Sequence, residues 1–457
     1  MSLYQKAYYQ AFIISLLICW SPIKILAYTA PFVALGWFIL MTKSSVVLRN
    51  FLIWIFLFSS IISLHVIFNF NFVLFSALLS ILTYSSFGFI FAIPSHYLAG
   101  PDLLRSMLRT IQWVVLFEGA LGILQAIYGF TINKSFDAGN GDFVQGTINL
   151  SFQTGLAFSN PMYAVNMTLL VLGLFTYFIL ARKGFLSFFI GCIALIVASV
   201  VHVLVFLFTA ILLSLLIFRP AILKSTASLV IISTLLVIVP TLSFIVLYSN
   251  FQSFSAIYEG AARGDSPRVQ VTERTFATMP TQYPLMPYIG LGPGQFSSRA
   301  ALIGTGLYFG GPSDPTPLPL PKAMPHALEK YLLDLWLIAA SNKFYGSTQQ
   351  PFYSWLSVYT EMGAPIFLII PVIGLALILK VKSQVENYQQ EVMAIAFSIG
   401  IIFIFLLGLQ ENYWEVPQAI FLGCMLLKVM YACIIYDKRT PRVRPVAKVR
   451  EMEAVKY

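Results

Sequence analysis

A chain of 457 residues that is 58% hydrophobic and only 10% charged cannot cover its own surface with polar groups, which excludes a soluble globular protein. Its net charge of +10 is not arranged as a basic stripe interleaved with aromatics, so no nucleic-acid partner is expected. The four cysteines, Cys19, Cys192, Cys424 and Cys433, all lie inside apolar stretches and offer neither a disulfide framework nor a thiolate metal site.

Apolar runs of about 20 residues, the length needed to cross a bilayer, recur along nearly the whole chain. The expected spans lie near 9–27, 29–42, 50–68, 71–94, 111–130, 161–181, 185–201, 203–218, 226–248, 354–379, 392–409 and 415–436. No A-x-A-like cleavage site follows the first run, so it reads as a span and not as a removable signal. The continuous run 185–218 is split in two to keep parity with the basic clusters. Lys43 and Arg49, Arg105 and Arg109, Arg182 and Lys183, Arg219 and Lys224, Lys380 and Lys382, and the tail "DKRTPRVRPVAKVREMEAVKY" then share one side, the cytoplasmic one.

This count divides the chain into N-terminal spans (1–130), an external segment (131–160), central spans (161–249), a large external loop (250–351), C-terminal spans (352–436) and a basic cytoplasmic tail (437–457). The fold class is therefore an all-α polytopic membrane protein of about twelve helices, with short helices in the large loop. A loop of that length is usually functional. It carries seven Lys/Arg against six Asp/Glu, a balance that also suits a plain solvated loop. Within it, "YIGLGPGQFSSRAAL" places a tight Gly-Pro-Gly turn next to Arg299. Arginine grips phosphate with a rigid fork, so the turn is either an anionic-substrate site or a surface loop.

No Walker A sequence, H-E-x-x-H or G-x-S-x-G is present, and "GLGPGQF" lacks the third glycine of a dinucleotide motif. No metal and no cofactor are expected. His65, Glu118, His202 and Lys428 sit within apolar runs, where an ionisable group signals either function or an interhelical hydrogen bond. Glu118 and Gln125, seven residues apart, share one helical stripe, whereas Lys428 can snorkel to the cytoplasmic surface.

Three landmarks then follow in order: "GTINLSFQTGLAFSNPMYA", "SPRVQVTERTF" leading into "YIGLGPGQF", and "FYSWLSVYTEMGAPIFLI". Over roughly residues 140–380 this pattern resembles the O-antigen polymerase and O-antigen ligase superfamily of bacterial membrane glycosyltransferases. The resemblance implies a GT-C-like helical bundle in the bacterial inner membrane, with its active site facing the periplasm or cell exterior. It implies undecaprenyl-pyrophosphate-linked glycans as substrates, the bilayer as environment, and a chain-length regulator or other polysaccharide-assembly proteins as partners.

By the same resemblance, the pyrophosphate-binding arginine best matches Arg268, with Arg274 second and Arg299 able to join. Arg263, Gly292, Gly294 and Gln350 complete the expected substrate-binding set. The family's histidine before the Glu-x-Gly pair is missing: Glu361 and Gly363 are present, but "STQQPFYSW" precedes them. The family's basic residue in the segment matching "ASVVHVLVF" is replaced by His202. His326 and Glu361 are the expected catalytic substitutes, with Glu259, Asp265 and Glu273 as further acids. Polymerase is the leading reading; a ligase acting on lipid A-core or protein, and a transporter of an anionic or lipid-linked substrate, are the alternatives.

Overall fold

The computed structural model describes residues 1–68, 71–133, 144–148, 161–198, 200–218, 258–309, 311–312, 315, 321–341 and 350–436. Among these the ordered elements are all helical. The N-terminal part comprises α1 (Leu3–Cys19), α2 (Ala30–Thr42), α3 (Ser45–Phe68), α4 (Leu74–Thr83), α5 (Ser85–Ala92) and α6 (Pro101–Asn133). The centre comprises α7 (Met162–Ala181), α8 (Phe185–Val197) and α9 (Val201–Phe218). Short helices α10 (Pro267–Glu273), α11 (Arg299–Gly304), α12 (His326–Tyr331) and α13 (Leu333–Ser341) follow, then α14 (Ser354–Ser383), α15 (Tyr388–Leu407) and α16 (Pro417–Tyr436).

Eight segments among the described residues are long and apolar enough to cross a membrane, so this is a multi-pass membrane protein. They are Ile25–Thr42, Ser45–Phe68, Pro101–Thr131, Met162–Ala181, Val201–Phe218, Ser354–Ser383, Tyr388–Leu407 and Pro417–Tyr436. The expected span 71–94 is instead a pair, α4 and α5, bent by 51°. The split of 185–218 appears as α8 and α9, but α8 has only 13 residues. The expected first span is α1, with 17 residues. The expected span 226–248 and the basic tail lie outside the described residues.

Burial separates central from peripheral helices. The apolar windows of α7 and α16 are 72% buried, whereas those of α3, α9 and α14 are only 17% buried and present Phe56, Ile67, Leu216, Leu368 and Val372 outward. Such outward faces suit acyl chains, since lipid tails are as apolar as these side chains.

The intramembrane polar residues mostly repair backbone. Glu118 accepts the Thr147 amide (2.9 Å) and hydroxyl (2.6 Å). Gln125 accepts the Gln145 and Gly146 amides (2.9 and 2.8 Å) and donates to Gly146 O (3.0 Å). The shared stripe thus clasps the segment 144–148 against α6. Lys428 does not snorkel to the surface; its ammonium donates to Ile90 O. That carbonyl would bond to the amide of residue 94 in a continuing helix, but Pro94 has none. Asn50 likewise donates to Ala92 O (3.2 Å), so two side chains cap the end of α5.

Candidate functional site

The Gly-Pro-Gly turn is buried, wedged between α14, α3 and α4. Its seat is a break in α14 at Gly363, whose φ of 79° and ψ of 168° are not helical. In an unbroken helix the Thr360 and Glu361 carbonyls would bond the amides of residues 364 and 365, but the break frees them and Pro365 has no N–H. Leu291 N and Gly292 N donate to them instead, at 2.8 and 3.0 Å. The Glu361 carboxylate then accepts Gly294 N (2.6 Å), Phe296 N (2.9 Å) and Ser298 N (3.1 Å). Residues 360 and 361 therefore satisfy five amides of the buried turn, as buried irregular backbone requires.

The close approach demands glycine. A Cβ on Gly363 would stand 2.5 Å from Tyr288 O, and one on Gly294 would run into the Ser76 backbone. Gly292, with φ 99°, faces Phe72 and His65, and the His65 ring stacks on Phe72. Gly292 and Gly294 thus set the turn's geometry against the helices.

The turn delivers Arg299 into a second polar layer. Ser298 caps α11 through the Ala301 amide (3.2 Å). Arg299 is 2% exposed; its backbone N–H donates to Glu415 and its Nη2 to Glu411. Its guanidinium lies over the rings of Tyr308 (4.8 Å) and Phe352 (5.4 Å). Desolvation opposes the charge, but Tyr308 and Glu411 outweigh it, and the Arg299 pKa is raised. Arg299 is thereby tied to protein carboxylates. Glu415 is fully buried; burial first, then the nearby Glu361 carboxylate, pushes its pKa up to about 8.

Arg268, on α10, reaches the same layer from the other side. Its Nε donates to Gln350 O (3.3 Å), Nη1 to Gln410 Oε1 (3.3 Å) and Nη2 to Gln410 O. The cation sits 5.3 Å from the Tyr353 ring centroid and makes no salt bridge among the described residues. Burial brings its pKa down to about 10, against the pull of Tyr353, Glu411 and Tyr413, so it remains charged at neutral pH. Three buried polar atoms, on Arg268's partners Gln350 (Oε1) and Gln410 (Nε2) and on Arg299 (Nε), have no hydrogen-bond partner among the described residues. Buried polar atoms of this kind call for water or a bound molecule.

The other expected residues lie apart from this layer. Arg274 forms a two-pronged pair with Asp334 (2.8 Å on each arm) and also donates to Tyr331 O (3.1 Å). That bond holds the Asp334 carboxyl below its usual range. Arg263 is exposed, 3.7 Å from Asp265. His326 opens α12, exposed, with Nδ1 2.7 Å from the Tyr283 hydroxyl. Glu259 and Glu273 are exposed.

The sequence reading passed over "LGLQENYWEVPQ", the connection between α15 and α16. Its Gln410, Glu411, Asn412, Tyr413 and Glu415 are all buried and contact the site. Asn412 donates to Ser297 O (2.5 Å), and the Tyr413 hydroxyl lies 3.1 Å from His202 Nε2. The available signal was four amide or acid side chains within six residues between two apolar helices, more than a short turn needs. No protein-family model, curated protein or solved structure matches this chain.

Proposed function

We propose that the chain is a polysaccharide polymerase, a glycosyltransferase that moves a glycan from undecaprenyl pyrophosphate to a sugar hydroxyl on a second lipid-linked glycan. One observation carries this reading: among the described residues, Arg268 is a half-buried guanidinium without a carboxylate partner, and buried polar atoms of the same layer also lack partners there. The leaving pyrophosphate gains negative charge in the transition state, and a preorganised cation in a partly desolvated site stabilises it most at that point. Arginine supplies that charge without a metal in this reading. Arg299 contributes electrostatically from behind its pair with Glu411, and Arg274 holds α10 to α13.

The topology that goes with this reading has twelve spans. They are the eight long helices, the bent pair, α1, α8 and residues 226–248, with both ends cytoplasmic and the arginine layer toward the periplasm. The exposed residues Arg263 and Lys183 then lie on opposite sides. Arg263→Cys reacts with an impermeant maleimide in spheroplasts and Lys183→Cys does not; the reverse pattern defeats the orientation.

The activity test is the glycan ladder from cells complemented with each variant at matched expression. Losing one charge-assisted contact to the leaving group costs about 3 kcal/mol, roughly a hundredfold in rate. Arg268→Ala abolishes the ladder, and Arg268→Lys weakens it because the charge remains but the fork is lost. Arg263→Ala and Arg274→Ala leave it largely intact. A normal ladder from Arg268→Ala removes the pyrophosphate from this layer.

A further inference from the structure

If the chain transfers glycosyl groups, something must accept the proton of the attacking hydroxyl, and the geometry of the acids narrows the choice. The Glu361 carboxylate is committed to three backbone amides. Glu415 has no exposed surface and accepts the Arg299 amide. Asp334 is bound through both oxygens by Arg274, while Glu259, Asp265, Glu273 and His326 sit exposed to solvent.

Glu411 differs from all of these. Its side chain keeps 11% exposure, and its Oε1 is held by Arg299 while Oε2 makes no hydrogen bond among the described residues. Its backbone carbonyl is fixed by Ser354, through the amide at 3.3 Å and the hydroxyl at 3.2 Å. It directly follows Gln410, which binds Arg268 through both its side chain and its carbonyl. Its charge also bears on the Arg268 guanidinium.

We infer that Glu411 is the carboxylate that takes the acceptor hydroxyl's proton, a role that rests on the glycosyl-transfer reading above. The acceptor oxygen forms the new bond to the anomeric carbon as the bond from that carbon to the pyrophosphate oxygen breaks. The electron pair leaves with undecaprenyl pyrophosphate beside Arg268, and the hydroxyl proton passes to Glu411 Oε2. Arg299, lying over the Tyr308 and Phe352 rings, holds Oε1 and keeps the carboxylate aimed until then. General-base catalysis of this kind contributes about a hundredfold to ten-thousandfold.

The test uses the full chain, purified in detergent, with undecaprenyl pyrophosphate as the probe and thermal stabilisation as the readout, alongside the ladder in complemented cells. The parent protein is stabilised by the probe and Arg268→Ala is not. Glu411→Gln melts at a lower temperature because the buried Arg299 loses its charge partner, yet it keeps the probe-induced shift and loses at least a hundredfold in polymer synthesis per folded protein, while Glu411→Asp retains part of it. A normal ladder from Glu411→Gln overturns the inference. So does a Glu411→Gln protein that loses the probe-induced shift together with the ladder, because the residue then supports the donor site and not the proton transfer. A parent protein that the probe does not stabilise defeats the proposed function itself.

Discussion

Glu361 separates a scaffolding carboxylate from a chemical one, and its substitution by glutamine distinguishes them. The carboxylate accepts two amides on Oε1 (Phe296, Ser298) and one on Oε2 (Gly294). In Glu361→Gln the carboxamide oxygen can keep the first two as weaker neutral bonds, but its NH2 group then meets the Gly294 N–H, donor against donor. Leaving one buried donor unsatisfied costs about 1–3 kcal/mol, and weakening two charge-assisted bonds adds about 0.5–1 kcal/mol each. Relief of the burial cost of a carboxylate offsets part of this, so the net loss is about 2–4 kcal/mol. For a chain of this size that lowers the apparent melting temperature in detergent by roughly 2–4 °C, and polymer synthesis falls in step with folded protein. The measurement is paired thermal unfolding and ladder intensity, normalised to folded protein. If Glu361→Gln keeps the parental melting temperature and yet makes no polymer, the carboxylate acts on substrate and the scaffold argument fails.

Gly363→Ala places a Cβ 2.5 Å from Tyr288 O at a φ of 79°, so it lowers the melting temperature markedly. Gly36→Ala, with nothing within 4 Å of its added Cβ, leaves stability unchanged or slightly raised; equal effects at the two sites refute the close-packing account. Glu415 carries a proton in the native state up to about pH 8, whereas in the unfolded chain it loses it near 4.5. The native state therefore holds more protons between these values, and its contribution to stability falls as pH rises through that window, by at most about 5 kcal/mol. The apparent melting temperature should drop from pH 5.5 to pH 8.5 in the parent and drop less in Glu415→Gln; identical slopes contradict a buried neutral acid.

The eight long spans were legible in the sequence because bilayer thickness sets the length of an apolar run and composition alone reports it. The break between α8 and α9 was legible through the charge bias, and the tight turn at 290–294 through glycine and proline. These are local properties, written in neighbouring residues. The fate of each charge was not legible, because ion pairing depends on contacts distant in the chain. Arg274, Arg299 and Arg268 look equivalent as letters, yet Asp334, 60 residues on, neutralises the first, and Glu411, 112 residues on, binds the second. Arg268 meets oxygens of Gln350 and Gln410 and, among the described residues, has no carboxylate partner. Glu361 stood out as an acid near a glycine, but only the fold shows three amides closing on its carboxylate. The connection "QENYWE" carries no local mark of its partners; tertiary packing alone sets it against both arginines. Pairing energy depends on burial and on partners brought together by folding, so tertiary structure alone decides which charged groups remain free to meet a substrate.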